Sequence, residues 1–204
     1  MNVEEIAGYI IKCAEGRQRF IVAIAGPPGA GKSTFAEQLL GTLKIMDVQA
    51  RVIPMDGFHL DNSILRDRDI LDRKGSPATF DAGGFLTLMK RLTDFENEVV
   101  IPVFDREIDI AIAGAEVIST NDTILIVEGN YLLIDHAPWN ELQKFWDETL
   151  FINPGFDVLR ERLIDRWLEH GLDSEEARNR ALSNDIPNAH FVLENSFSPS
   201  LNFQ

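Results

Sequence analysis

Apolar positions along the chain follow two alternating rhythms. Residues 3–14 space them as an amphipathic helix does. "FIVAIAG" (20–26) is a short, fully apolar, β-branched run, the pattern of a buried parallel strand. "KSTFAEQLLGTL" (32–43) returns to helical spacing with Phe35, Leu39, Leu40 and Leu43. "RVIPMD" (51–56) predicts a second strand ending on Asp56. Residues 61–72 and 81–92 predict helices, the latter opening on Asp81 as an N-cap and carrying Phe85, Met89 and Leu92 on one face. Further strands are expected at 98–104, 123–129 and 148–153, with a short extra one at 116–119. Residues 155–170 form a helix with Leu159, Leu163 and Trp167 at four-residue spacing, 173–183 a polar helix, and "FVLEN" (191–195) a strand closing the sheet. Strands alternating with helices imply a parallel sheet with right-handed crossovers.

The chemistry begins where the first strand ends. Residues 26–33, Gly-Pro-Pro-Gly-Ala-Gly-Lys-Ser, match G-x-x-x-x-G-K-[ST] and lie between an apolar strand and a helix. Such a loop turns tightly around a phosphate and aims amide N–H groups and a helix N-terminus at the anion. Pro27 and Pro28 have no N–H, so the donors are expected from Gly29, Ala30, Gly31, Lys32, Ser33 and Thr34, with Gly26 opening the turn. Lys32 is expected to reach the β- and γ-phosphates of ATP, and the Ser33 hydroxyl to hold Mg²⁺.

Two acids complete the picture. Glu128 ends "TILIVEG", where a carboxylate can stand beside the metal, and Asp56 ends the strand expected next to it. One carboxylate can orient Mg²⁺; the other can accept the proton of an attacking hydroxyl. Asp56 is assigned as the base, within reach of the metal as well. A turn role for Asp56, since Asp-Gly is good turn chemistry, and a capping or ion-pair role for Glu128 are the plain alternatives.

"PMDGFH", "KGSPATFD", "IPVFDRE" and "VEGNYLL", in this order behind the phosphate loop, resemble the uridine kinase, phosphoribulokinase and bacterial pantothenate kinase family over roughly residues 20–195. The resemblance implies a P-loop NTPase fold, a three-layer α/β/α sandwich with a five-stranded parallel core sheet and a helical lid at about 155–183, in a single domain over 1–204. It implies Asp56 as catalytic base, Ser33 and Glu128 at Mg²⁺, and Asp81 where uridine kinases use a carboxylate on the ribose hydroxyls. Uridine kinases carry Tyr and His around the "PVFDREIDI" segment to read the base. Here Phe104 stands there without a nearby His, and Arg106 and Asp109 take up that space. This suggests a smaller, polyhydroxylated acceptor. Within the family the pattern is most similar to bacterial sugar kinases associated with fructose transport. His59, three residues after Asp56, and Tyr131 in "VEGNYLL" are further candidates for acceptor contact.

"DVLRERLIDRWLEHGL" puts Arg162 and Arg166 four apart on one helical face. In the family such a helix belongs to a lid closing over ATP. The resemblance makes Arg162 the residue that neutralises the transferring phosphoryl group, with Arg166 beside the nucleotide; a solvated face laced with acids is the alternative. Asn184 and Asn188, in a polar stretch read as a loop, are candidates for the adenine. The four histidines form no metal-ligand spacing.

Net charge and length refine the reading. A charge of −14 over 204 residues argues against nucleic acid or an anionic membrane as partner. The single cysteine, Cys13, excludes an intrachain disulfide and is expected to be a buried thiol. No basic, then apolar, leader opens the chain and no apolar run approaches the roughly 18 residues of a membrane span, so a cytoplasmic protein acting on a small alcohol is expected. A homodimer is left open. An acceptor-independent NTPase is the competing class, although no N-K-x-D motif is present and "DAGG" (81–84) does not end a strand.

Overall fold

The computed structural model describes residues 1–203. A five-stranded, wholly parallel sheet runs β2 (Ala50–Pro54), β5 (Ile124–Gly129), β1 (Phe20–Ala25), β6 (Glu148–Ile152), β7 (Leu201–Phe203). β1 and β5 are buried at every position. Because strand side chains alternate, the two faces of β1 serve different cores. Phe20, Val22 and Ile24 pack with Ile6 and Ile10 of α1 (Val3–Ala14) and Phe35 and Leu39 of α2 (Lys32–Ile45). Ile21, Ala23 and Ala25 pack with Phe85 and Met89 of α4 (Ala82–Thr93). That is the three-layer sandwich. Cys13 is half-buried beside the first of these cores.

Several boundaries differ from the sequence reading. β2 stops at Pro54, so Asp56 lies not on a strand but in the 3-10 turn Met55–Phe58. The expected helix at 61–72 is only α3 (Asn62–Asp67), followed by a 3-10 turn at Leu71–Arg73. The 98–104 strand is β3 (Glu98–Asp105), and it leaves the main sheet to pair antiparallel with β4 (Ile110–Ser119), which swallows the short strand expected at 116–119. "FVLEN" is helical: α7 (Ile186–Asn195) buries Ile186, Ala189 and Val192 at three-residue spacing, and β7 takes the sheet edge instead. The polar helix at 173–183 is α6 (Ser174–Arg180), continued by a π-helical turn at Ala181–Asp185. No helix among the described residues is long and apolar enough to cross a membrane.

Gly57 lets the Asp56 turn lie against the hairpin. A Cβ there would meet the Pro102 carbonyl oxygen at 2.4 Å, and that oxygen is backbone and cannot swing away. Gly57→Ala is expected to cost about 1–3 kcal/mol, the usual penalty for forcing atoms into a packed contact. A urea titration should show a lower midpoint with an unchanged slope; an unchanged midpoint would mean that the contact relaxes freely.

Candidate active site

The sheet register brings the chemistry to one end. Glu128 of β5 lies level with Ile24 of β1 and Pro54 of β2, so the phosphate loop, Glu128 and the Asp56 turn all emerge at the carboxyl ends of adjacent strands. This is where open α/β sheets bind ligands.

The loop has the conformation its glycines permit. Gly29 and Gly31 take φ of 80° and 92°, a region costly to residues with a Cβ. A Cβ on Gly29 would also press at 3.3 Å on Leu163 of α5 (Phe156–Glu169), so the helix and the loop pack together. Ala30 spends its N–H on the Pro27 carbonyl at 3.1 Å, which removes it from the expected set of anion donors. Lys32, Ser33 and Thr34 open α2, and first-turn N–H groups of a helix have no intrahelical acceptor. Gly26 sits where a Cβ would strike the Ile152 carbonyl oxygen at 2.4 Å, locking β1 against β6 as the loop begins.

Lys32 is 8% exposed and Glu128 5%. The Lys32 ammonium donates to the Pro27 carbonyl at 3.0 Å, and the Ser33 hydroxyl donates to Glu128 Oε1 at 3.2 Å. Burial pushes the Lys32 pKa down, opposed by the charges of Glu128 and Asp56. Burial pushes the Glu128 carboxyl up, opposed chiefly by Lys32. Each therefore depends on the other to remain charged away from water. Ser33 and Glu128 offer oxygen donors only. Among the described residues no cluster of three or more His, Cys, Asp or Glu could hold a metal by itself. A hard cation such as Mg²⁺, which keeps waters and shares phosphate oxygens, fits this sparse set.

Ser33, Asp56, Glu128 and Arg106 line one cavity of about 380 Å³, together with Phe104 of β3. Arg106 Nη2 lies 3.4 Å from Asp56 Oδ2. The cavity wall also includes Glu37, Arg51 and Glu116, which the sequence reading did not single out. Glu37 is four residues after Ser33 on α2, a spacing that puts both on one helical face and could have flagged it. Glu116 comes from β4, whose pairing the sequence did not reveal.

Other candidates lie elsewhere. Tyr131 is fully buried; its hydroxyl donates to the Gly75 carbonyl at 2.5 Å and its ring packs on Phe80 and Trp139, so it is a core residue and not an acceptor contact. His59 is built into the Asp56 turn. Its Nδ1 donates to the Asp56 carbonyl at 2.8 Å, its ring stacks between Phe80 and Phe104, and burial lowers its pKa. It supports the turn rather than lining the cavity. Asp81 caps α4, with Oδ1 accepting the Gly84 N–H at 2.8 Å. Asn188 is 4% exposed and donates to Asn184, whose own amide donates to the Lys74 carbonyl at 2.8 Å. Both asparagines are thus taken up by each other and by the Arg73–Lys74 segment. Arg162 donates to the carbonyls of Gly29 and Ala30 at 3.2 and 3.3 Å, holding the phosphate loop's backbone. Arg166 lies over the Trp167 ring, and its charge is felt at Lys32.

Comparison with known proteins shows the family and the fold. The sequence profile of the phosphoribulokinase / uridine kinase family matches residues 21–192. A Schizosaccharomyces pombe protein named "putative uridine kinase" is 33% identical over 100% of this chain and 90% of its own length. A pantothenate kinase of Corynebacterium diphtheriae is 30% identical over 84% of this chain, which spans only 53% of that enzyme. Among solved structures, one described as a "putative fructose transport system kinase" from Silicibacter sp. TM1040 superposes over 100% of both chains, with a TM-score of 0.95 and 39% identity.

Proposed function

The chain belongs to the phosphoribulokinase/uridine kinase family of P-loop kinases, and from that premise we propose that it transfers the γ-phosphoryl group of ATP to a hydroxyl of a small polyhydroxylated molecule, a sugar or related polyol. The observation that carries the reading is the shared cavity: Asp56 opens onto the same 380 Å³ space as Ser33 and Glu128.

In this mechanism the acceptor hydroxyl approaches Asp56 and gives up its proton to the carboxylate. Its oxygen forms a bond to the γ-phosphorus as the bond from that phosphorus to the bridging oxygen of ADP breaks. Lys32 and the N–H groups of Ser33 and Thr34 balance the charge on the phosphate oxygens as preorganised donors that need no rearrangement during the transfer. Ser33 and Glu128 would hold Mg²⁺, which supplies further charge neutralisation when bound. Arg162 keeps the loop in its cradle shape through the Gly29 and Ala30 carbonyls. The helical segment beyond Gly155 would act as the lid. Phe104 walls the acceptor side of the cavity, where a short polyol fits the space.

ADP release should be measured with ATP and Mg²⁺, with and without a panel of sugars, nucleosides and pantothenate. Turnover that rises at least tenfold with one acceptor class is the expected result. A rate that ignores every acceptor identifies an NTPase instead.

A further inference from the structure

The cavity contains two arginines that are held in different ways. Arg51 is paired away from the site carboxylates: its Nε donates at 3.2 Å to Asp122, whose other oxygen accepts the Ser119 N–H and hydroxyl. Arg106 has a single hydrogen-bonded partner among the described residues, Asp56 at 3.4 Å, and its side chain is 64% exposed. So the carboxylate assigned to take the acceptor's proton is engaged by a guanidinium with no other anchor.

The backbone that carries Arg106 is held firmly. Asp105 Oδ1 accepts the N–H groups of Glu107 and Ile108 at 2.9 and 3.3 Å. Asp109, at φ 57°, closes the turn and is held by Lys74 at 2.8 Å and by Asn62 at 3.0 Å. The turn therefore fixes where the guanidinium starts, while the exposed side chain remains able to swing. Another anion can draw a guanidinium off a carboxylate, because it can accept a forked pair of donors from it. Of the other charged residues of the wall, Glu37, Glu116 and Glu128 repel an anion, and Arg51 is paired through its Nε with Asp122 and not with Asp56. Arg106 is thus the cation of the wall that sits directly on Asp56, placed to receive negative charge on the acceptor side.

We propose that Arg106 is the receptor for an anionic group on the acceptor: the alcohol that is phosphorylated carries a carboxylate or phosphate a few bonds from its reacting hydroxyl, and that group draws the guanidinium off Asp56. This rests on the kinase reading above. The exchange frees Asp56 to accept the hydroxyl proton only when the right molecule is present. Water offers no anion to compete for the guanidinium, so without acceptor Asp56 is paired more of the time and ATP hydrolysis is slower than in a variant that lacks Arg106.

The test uses the full chain and matched probes, glycerol against glycerate and fructose against fructose 6-phosphate, with ATP and Mg²⁺. The acid member of a pair should be phosphorylated in preference to its neutral partner. The carboxylate and phosphate arms separate the two sources of charge. In Arg106→Gln the KM for the acid should rise about 10- to 100-fold, the loss of a charged hydrogen bond, with the KM for ATP unchanged. Arg106→Lys should recover part of it, and ADP release without acceptor should increase in Arg106→Gln. Transfer to neutral alcohols with an unaltered KM in the variant overturns this inference alone, as does a rise confined to the KM for ATP. Failure to phosphorylate any probe of either kind overturns the kinase reading and this inference with it.

Discussion

Asp56→Asn is expected to lower kcat by about 10²–10⁴-fold, the range that general base catalysis supplies, and to leave ATP affinity nearly unchanged. Asparagine keeps the size of the side chain and can still meet Arg106, but it cannot accept the hydroxyl proton. The fold should tolerate the change. The ion pair lost is exposed on its Arg106 side, and such pairs contribute about 0–1 kcal/mol. The 3-10 turn is kept by other means: the Asp56 carbonyl accepts the His59 N–H and Nδ1–H at 3.1 and 2.8 Å, and neither bond involves the carboxylate. Thermal melts and binding of a non-hydrolysable ATP analogue, measured beside turnover, separate chemistry from folding. Near-normal turnover in a folded variant would remove Asp56 from the base's role.

Lys32→Ala should weaken nucleotide binding and turnover together, with kcat down about 10²–10³-fold, as when one preorganised donor to a transition-state charge is lost. Its ammonium sits in a protein wall and not in solvent, so no water replaces it at comparable strength. Its removal also leaves Glu128 without the cation that counters its burial, and the carboxyl pKa should climb further. The expected loss is therefore double: a weaker grip on phosphate and a Glu128 carboxyl less willing to ionise and so to hold the proposed Mg²⁺. Calorimetric titration with the ATP analogue, with and without Mg²⁺, reads both effects. Turnover equal to that of the unaltered protein would contradict the assignment.

What could be read from the sequence was whatever depends on near neighbours. The phosphate loop is one continuous motif whose glycines and flanking apolar runs carry their own instructions, and it occupies the end of β1 as expected. The parallel core followed from the fully apolar 20–26 and 123–129 runs, because only strands covered on both faces read that way. Residues whose surroundings are set by distant chain were harder. Val99 and Ile101 gave 98–104 a strand's pattern, but nothing local says that this strand leaves the sheet to pair with β4. Phe191, Val192 and Leu193 look like a strand core in isolation; Ile186 and Ala189, buried on the same side, make the helix plain only once the preceding π turn is known. Tyr131 stood next to the right motif, but its side chain turns inward, a fact of packing and not of order along the chain.

Lys74 contributes two groups to two different walls. Its ammonium grips Asp109 at the tip of the hairpin, and its backbone carbonyl receives the Asn184 amide from the π turn below the helical cover. It works as a crossbar between the helical region and the hairpin turn. Any shift of the helices near Asn184 must break that strut or be handed on to the turn bearing Arg106, so under the proposed transfer the nucleotide and acceptor sides would share one mechanical joint.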